Sequence, residues 1–98
     1  MKSKALSFLG ILNRGKATLI GPSLLKARKL SLVLLASDCS SNSEKEIRSV
    51  ANKFGCPVLG GASKEELGKA LGYDSVSGVG VILPKAAKAL IEKWNEKE

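Results

Sequence analysis

Leu30-Ser31-Leu32-Val33-Leu34-Leu35-Ala36 is an aliphatic run in which only Ser31 is polar. It has neither the strict alternation of a half-exposed strand nor the three-to-four spacing of a surface helix, and it is too short for a buried helix. The run is therefore read as a strand buried on both faces. Such a strand requires further strands on its edges and helices above and below it, and the rest of the chain supplies both.

On the C-terminal side, Ser43-x-x-Glu46 has the form of a capping box. It precedes Ile47, Val50, Ala51 and Phe54 on one helical face, with Gly55 as a stop. Cys56–Leu59 reads as a short strand and Gly60-Gly61 as a tight turn. Ser63-x-x-Glu66 is a second capping box ahead of Leu67, Ala70 and Leu71, closed by Gly72. Val79–Leu83 reads as the last strand, and Pro84 opens a helix whose Ala87, Leu90, Ile91 and Trp94 fall at i, i+3, i+4, i+7. On the N-terminal side, Ala5, Phe8, Leu9 and Leu12 mark an amphipathic helix ending before Gly15, and Ala17–Ile20 a short strand. Gly21-Pro22-Ser23 opens a helix running to about Lys29. The order α-β-α-β-α-β-α-β-α predicts an α/β fold, with a largely parallel or mixed four-stranded sheet between two helical layers.

The chain has 98 residues, is 44% hydrophobic and carries a formal charge of +7. That length and composition fit one packed domain, residues 1–98. The charge is placed unevenly. Lys2, Lys4, Arg14, Lys16, Lys26, Arg28 and Lys29 all precede the first acidic residue, Asp38, whereas basic and acidic residues balance from position 31 onward. A carboxylate-free first third predicts a polyanionic partner. Met1-Lys2-Ser3-Lys4 and the apolar run behind it imitate a secretory signal, but Asn13, Arg14 and Lys16 follow without a small-residue cleavage pattern. The segment is read as a helix of the mature protein. No run is long enough to cross a bilayer, and the expected location is cytoplasmic, with no membrane partner.

Residues suited to catalysis are scarce. There is no His, no nucleophile elbow and no phosphate-binding P-loop, and most carboxylates fall on predicted exposed helix faces. Cys39 and Cys56 belong to neither a C-x-x-C pair nor a metal-ligand set, so two reduced structural thiols are expected. No catalytic residue, metal or cofactor is expected. The binding candidate is the Gly21-Pro22-Ser23 helix opening, where free first-turn N–H groups are expected beside Lys16, Lys26 and Lys29.

Arg14-Gly15-Lys16, the helix opening from Gly21 to Lys26, Leu32–Ala36 ending in Ser37-Asp38, and Ser63-Lys64-Glu65-Glu66-Leu67-Gly68-Lys69-Ala70-Leu71-Gly72 together resemble the kink-turn RNA-binding ribosomal protein superfamily (large-subunit proteins seven-Ae and thirty-e). The chain looks most like its small bacterial YlxQ-type members. The resemblance implies a three-layer α/β/α sandwich with a mixed four-stranded sheet and five helices. It also implies recognition of RNA through the second helix's N-terminus and the loop before the last strand. In kink-turn binders that helix opens with Asn-Glu and a Lys three residues after the Glu, which contact sheared guanine–adenine pairs. Those positions are Pro22, Ser23 and Lys26 here, so only the Lys is kept. A Ser hydroxyl is a neutral acceptor where Glu offers a charged, bidentate one, and Pro22 has no amide donor. Phosphate gripping is therefore expected to survive better than base-specific readout.

The resemblance also implies that the loop Tyr73-Asp74-Ser75-Val76-Ser77 meets unstacked bases, with Val76 as the apolar contact. The expected RNA-binding set is Arg14, Lys16, Gly21, Pro22, Ser23, Lys26, Lys29, Val76 and Ser77. The expected partner is structured RNA, ribosomal RNA included, bound by a monomer without sequence-specific DNA contacts; aromatic platforms for single strands are scarce. Two other functions fit the residues. One is a protein-interaction module of the same fold with an acidic protein partner, and the other is a phosphate-ligand binder at Gly60–Ser63.

Overall fold

The computed structural model describes residues 3–95. Its elements are α1 (Ser3–Arg14), β1 (Thr18–Ile20), α2 (Pro22–Leu25), β2 (Leu32–Ala36), α3 (Ser41–Phe54), β3 (Val58–Ala62), α4 (Lys64–Leu71), β4 (Gly78–Val81) and α5 (Pro84–Asn95). All five residues of β2 are buried, as a strand covered on both faces must be. β4 pairs antiparallel with one edge of β2, Leu32 opposite Val81 and Leu35 opposite Gly78. β3 pairs parallel with the other edge. β1 pairs antiparallel with β4, Thr18 opposite Val81 and Ile20 opposite Val79, which completes the order β1-β4-β2-β3.

The pleat of β2 divides the core in two. Leu32, Leu34 and Ala36 join Val79 and Val81 beneath Leu9 of α1, Leu67 of α4 and Leu90 of α5. Val33 and Leu35 face the opposite way, onto Leu24 of α2 and Ile47 and Ala51 of α3. This is a three-layer α/β/α sandwich with a mixed sheet. On the α2/α3 side, β4 presents only Gly78 and Gly80. A Cβ at Gly80 would lie 2.6 Å from Leu24 Cδ1 and 2.5 Å from Leu30 Cδ2, and one at Gly78 would lie 2.7 Å from Ile47 Cδ1. The two glycines let α2 and α3 sit directly on the strand.

Four local expectations are corrected. The α3 cap is Ser40, whose hydroxyl accepts from the Ser43 N–H at 3.2 Å, so the cap lies three residues before Ser43 of the expected Ser43-x-x-Glu46 box and the helix begins at Ser41. The helix α2 ends at Leu25 instead of near Lys29, because Leu30 must drop beside Gly80 to enter β2. Strand β3 runs through Gly60-Gly61 to Ala62, where pairing with Ala36 across a register shift replaces the expected turn. Strand β4 occupies Gly78–Val81, ending before Ile82 and Leu83. The Ser63–Glu66 capping box forms as expected, and Gly72 closes α4 in the left-handed region. Trp94 is buried in the core, and its indole N–H donates to the Gly60 carbonyl at 2.8 Å, tying α5 to β3.

Gly68, on the buried side of α4, has the Ser75 Cα and N and the Tyr73 carbonyl oxygen each 2.8 Å from the position of a Cβ. Helix propensity alone predicts that Gly68→Ala stabilises the protein by up to about 1 kcal/mol. Here the added methyl meets backbone, which cannot rotate away, and overpacking of this kind costs about 1–3 kcal/mol. Thermal unfolding of the variant, followed by Trp94 fluorescence, is expected to show a lower Tm. A raised Tm would show that the 73–77 loop is not held against α4.

Candidate nucleic-acid interface

The strand directions decide which loops meet. β1, β2 and β3 all end where β4 begins, because β4 runs antiparallel to β1 and β2, and β3 runs parallel to β2. The start of α2, the caps of α3 and α4, and the end of the 73–77 loop therefore gather at one end of the sheet. Between the α2 opening, the first turns of α3 and that loop lies a groove of about 250 Å³. Ile20, Leu24, Leu25, Ile47 and Val76 contribute its apolar surface, Leu25 being the exposed one, and Gly21, Ser43, Glu46, Ser75 and Ser77 line it as well.

Local chemistry explains each wall. Gly21, the residue before α2, has φ 61° and ψ −134°, a conformation that disfavours any side chain. Pro22 then presets the helical φ, and the Gly21 carbonyl accepts from the Leu24 N–H at 3.0 Å. On the opposite wall the Val76 N–H donates to the Lys64 carbonyl at 3.0 Å, and the Ala36 N–H donates to the Ser77 carbonyl at 2.8 Å. The loop is thereby fastened both to α4 and to the end of β2.

Of the residues expected to bind, Gly21, Val76 and Ser77 line this groove, and Pro22 and Ser23 stand exposed beside it. Val76 requires a correction. It is 5% exposed and part of the main core, so its side chain forms groove floor rather than an exposed apolar tip. The exposed apolar side chain of that loop is Tyr73. The expected convergence of Lys16, Lys26 and Lys29 on the α2 opening is also corrected. Lys26 is the C-cap of the single-turn α2. Lys16 precedes β1 by two residues and Lys29 precedes β2 by three, which puts both towards the other end of the sheet. Lys16 and Gly21 are separated by roughly 16 Å of extended chain. A helix of four residues also has little macrodipole, so the helix-terminus contribution expected there is small.

Gly60–Ser63 offers no phosphate cradle. The Ser63 N–H is held by the Glu66 carboxylate at 2.9 Å, the Lys64 N–H by Asp38 Oδ1 at 2.7 Å, and the Glu66 N–H by the Ser63 hydroxyl at 3.1 Å. Three amides are already taken, and two carboxylates stand where an anion would approach. Asp38, part of the Ser37-Asp38 ending that the resemblance includes, ties β2 to α4 in this way, and nothing in its local pattern points to a partner 26 residues away. Ser43 and Glu46 were missed as groove residues because they were assigned to a cap that Ser40 supplies instead. Glu46 is exposed and its carboxylate is free of any cap.

Residues 22–91 match the Ribosomal protein L7Ae/L30e/S12e/Gadd45 family. The chain belongs to that family. It is a family of ribosomal and related proteins rather than of enzymes, in keeping with the scarcity of catalytic residues in the sequence. Among solved structures, a protein of unknown function from Bacillus halodurans C is 27% identical. That alignment covers 95% of this chain and 98% of the other, with a TM-score of 0.84. The Giardia lamblia 15.5kD RNA binding protein shares the fold at 17% identity and a TM-score of 0.70, over 95% of this chain and 87% of its own. No curated protein matches the chain in sequence.

Among the described residues no group of three or more His, Cys, Asp or Glu side chains is placed to hold a metal ion, and no helix is long and apolar enough to cross a membrane. Cys39 and Cys56 are free and half-buried. Burial pushes the Cys56 thiol above its ordinary value, so it stays protonated at neutral pH, and it lies 3.6 Å from the Ala51 carbonyl. Neither thiol lines the groove. Replacing both cysteines by Ala is expected to cost about 1–2 kcal/mol of stability and to leave RNA affinity within about threefold, about 0.65 kcal/mol. Loss of binding with the fold intact would contradict that.

Proposed function

We propose that this protein is a monomeric, single-domain RNA-binding protein that holds structured RNA, kink-turn-like or ribosomal, in the groove between the α2 opening and the 75–77 loop. The observation that carries the reading is the juxtaposition of those two segments across one groove in a chain whose first thirty residues hold seven cations and no carboxylate. Backbone N–H and hydroxyl groups of Gly21, Ser23 and Ser77 take the RNA backbone at the groove, where Pro22 fixes the turn between Gly21 and Ser23, and Lys26 contacts a phosphate beside it. Arg14, Lys16 and Lys29 add phosphate contacts away from it. Val76 supports the groove from below. Membership of a ribosomal protein family, and the RNA binding stated in the name of the Giardia neighbour, both support this reading. A cytoplasmic accessory of the ribosome or of translation, of the YlxQ type, is the role it fits.

Pro22 and Ser23 take the place of Asn-Glu, so affinity comes mainly from phosphates and shape. Titration of a kink-turn RNA at physiological salt is expected to give a Kd tighter than about 1 µM, beyond the usual range of non-specific binding. The same RNA with its sheared pairs made Watson–Crick is expected to bind less than a hundredfold more weakly, a gap under about 2.7 kcal/mol. No binding tighter than about 100 µM would overturn the RNA reading. A larger gap would overturn the account of its weak base readout.

A further inference from the structure

The charges of this protein are sorted along the strand axis as well as along the chain. Thr18 of β1 and Leu32 of β2 both pair with Val81, from opposite sides of β4. The segments that lead into them therefore emerge together at the end of the sheet opposite the groove. Arg14 and Lys16 lie on one of these segments, and Arg28 and Lys29 on the other. β4 leaves the sheet between them towards Lys85 in the first turn of α5. The strands are locked there: the Ile82 N–H donates to the Ala17 carbonyl at 3.1 Å, the Ser31 N–H to the Val81 carbonyl at 2.8 Å, and Thr18 Oγ1 to Asn13 Oδ1 at 2.7 Å.

All five cations are exposed, and none is in an ion pair. The described carboxylates lie elsewhere. Asp38 follows β2, Glu44 and Glu46 sit in the first two turns of α3, and Glu65 and Glu66 sit in the first turn of α4, all at the groove end. Asp74 is in the loop that returns along α4 to Ser77, and Glu92 is eight residues into α5, about 12 Å from its start.

We infer that this carboxylate-free pole is a second RNA-contact surface, separate from the groove, that grips the phosphate backbone of an A-form duplex. The Lys16 and Lys29 segments flank β4 at two interstrand spacings, about 10 Å. Together with Arg14, Arg28 and Lys85 they form a broad positive face suited to backbone contacts that carry no sequence information. Leu83 and, one helical turn before Arg14, Ile11 are the exposed large hydrophobic residues near it, set among the cations and apart from each other in the chain, whereas a protein interface needs an apolar centre depleted of lysine. The inference deepens the RNA-binding reading and rests on it for the class of partner. It makes the protein a bridge between a structured site at one end and a plain helix at the other.

The test uses the full chain and a plain RNA duplex of about 16 base pairs without internal loops, alongside the kink-turn RNA and its Watson–Crick control. Lys16→Glu with Lys29→Glu is expected to weaken duplex binding about tenfold or more and to reduce the slope of log K against log salt by about 1.5. The ratio between the two kink-turn probes should not change. Arg28→Glu with Lys29→Glu, which leaves in place Lys16, a non-glycine residue with a φ of 59°, is expected to do the same. Lys45→Glu with Lys64→Glu, at the groove end, changes the net charge equally and is expected to shift duplex binding by less than about threefold, as a change in long-range field alone would.

Duplex binding that is unchanged in the pole variants, or equally weakened in all three, would overturn the inference. So would capture of poly-glutamate by the pole in the absence of any duplex binding, which would assign it to an acidic protein. Failure of the groove reading registers differently, as the absence of kink-turn binding by the unmodified protein.

Discussion

Gly80 and Gly78 leave one face of β4 without side chains, and the arrangement of the α2/α3 layer depends on that bare strip. Leu24 and Leu30 fill the space above Gly80, and Ile47 fills the space above Gly78. Because Leu24 is seated there, the single turn of α2 lies on the sheet instead of beside it, and Gly21 is held in its left-handed conformation at the groove. Because Leu30 is seated there too, the chain must descend the length of the sheet within a few residues of Leu25. That descent carries Arg28 and Lys29 to the opposite end. A side chain at Gly78 or Gly80 would press on Ile47 or on Leu24 and Leu30, lift α2 and α3 and open the groove.

The antiparallel placement of β4 between β1 and β2 has a second consequence. It returns the chain so that the loop before β4 meets the segments after β1 and β2, while the loop after β4 meets the segments before them. One end collects three helix starts with their caps and carboxylates. The other collects cations. Two carboxylates of the groove end, Glu66 and Asp38, serve the fold as caps, holding the first amides of α4. Structural demand and charge asymmetry thus have a common origin in strand direction.

Elements held by local chemistry could be read from the sequence. β2 declared itself by an unbroken aliphatic run, and α4 and α5 by a capping box or first-turn proline with an apolar face behind it. Distant partners were not legible. Gly60-Gly61 has the composition of a turn, yet pairing with β2 and the Trp94 indole hold it in a strand. In Ser40-Ser41-Asn42-Ser43 several side chains can cap, and the choice of Ser40 follows from where β2 ends. Val76 looks like a surface residue because polar neighbours surround it, but Gly68 draws its loop onto α4 and turns it into the core. At the site, the two groove segments were recognisable through resemblance. The separation of Lys16 and Lys29 from them was not, because charge was read along the chain, whereas strand pairing sets distance in space.

The claim at the centre of this account is that the groove beside the bare face of β4 receives the RNA. Amide chemical shifts of the isotope-labelled protein, followed while kink-turn RNA is added, test it residue by residue. The account predicts that the largest changes fall at Gly21, Ser23 and Lys26 and at Ser75–Gly78, with Ser43 and Glu46 joining them, while the amides of α5 from Lys88 onward stay near their free positions. Large changes confined to α1 and α5, with Gly21 and Ser77 unmoved at saturation, would contradict it.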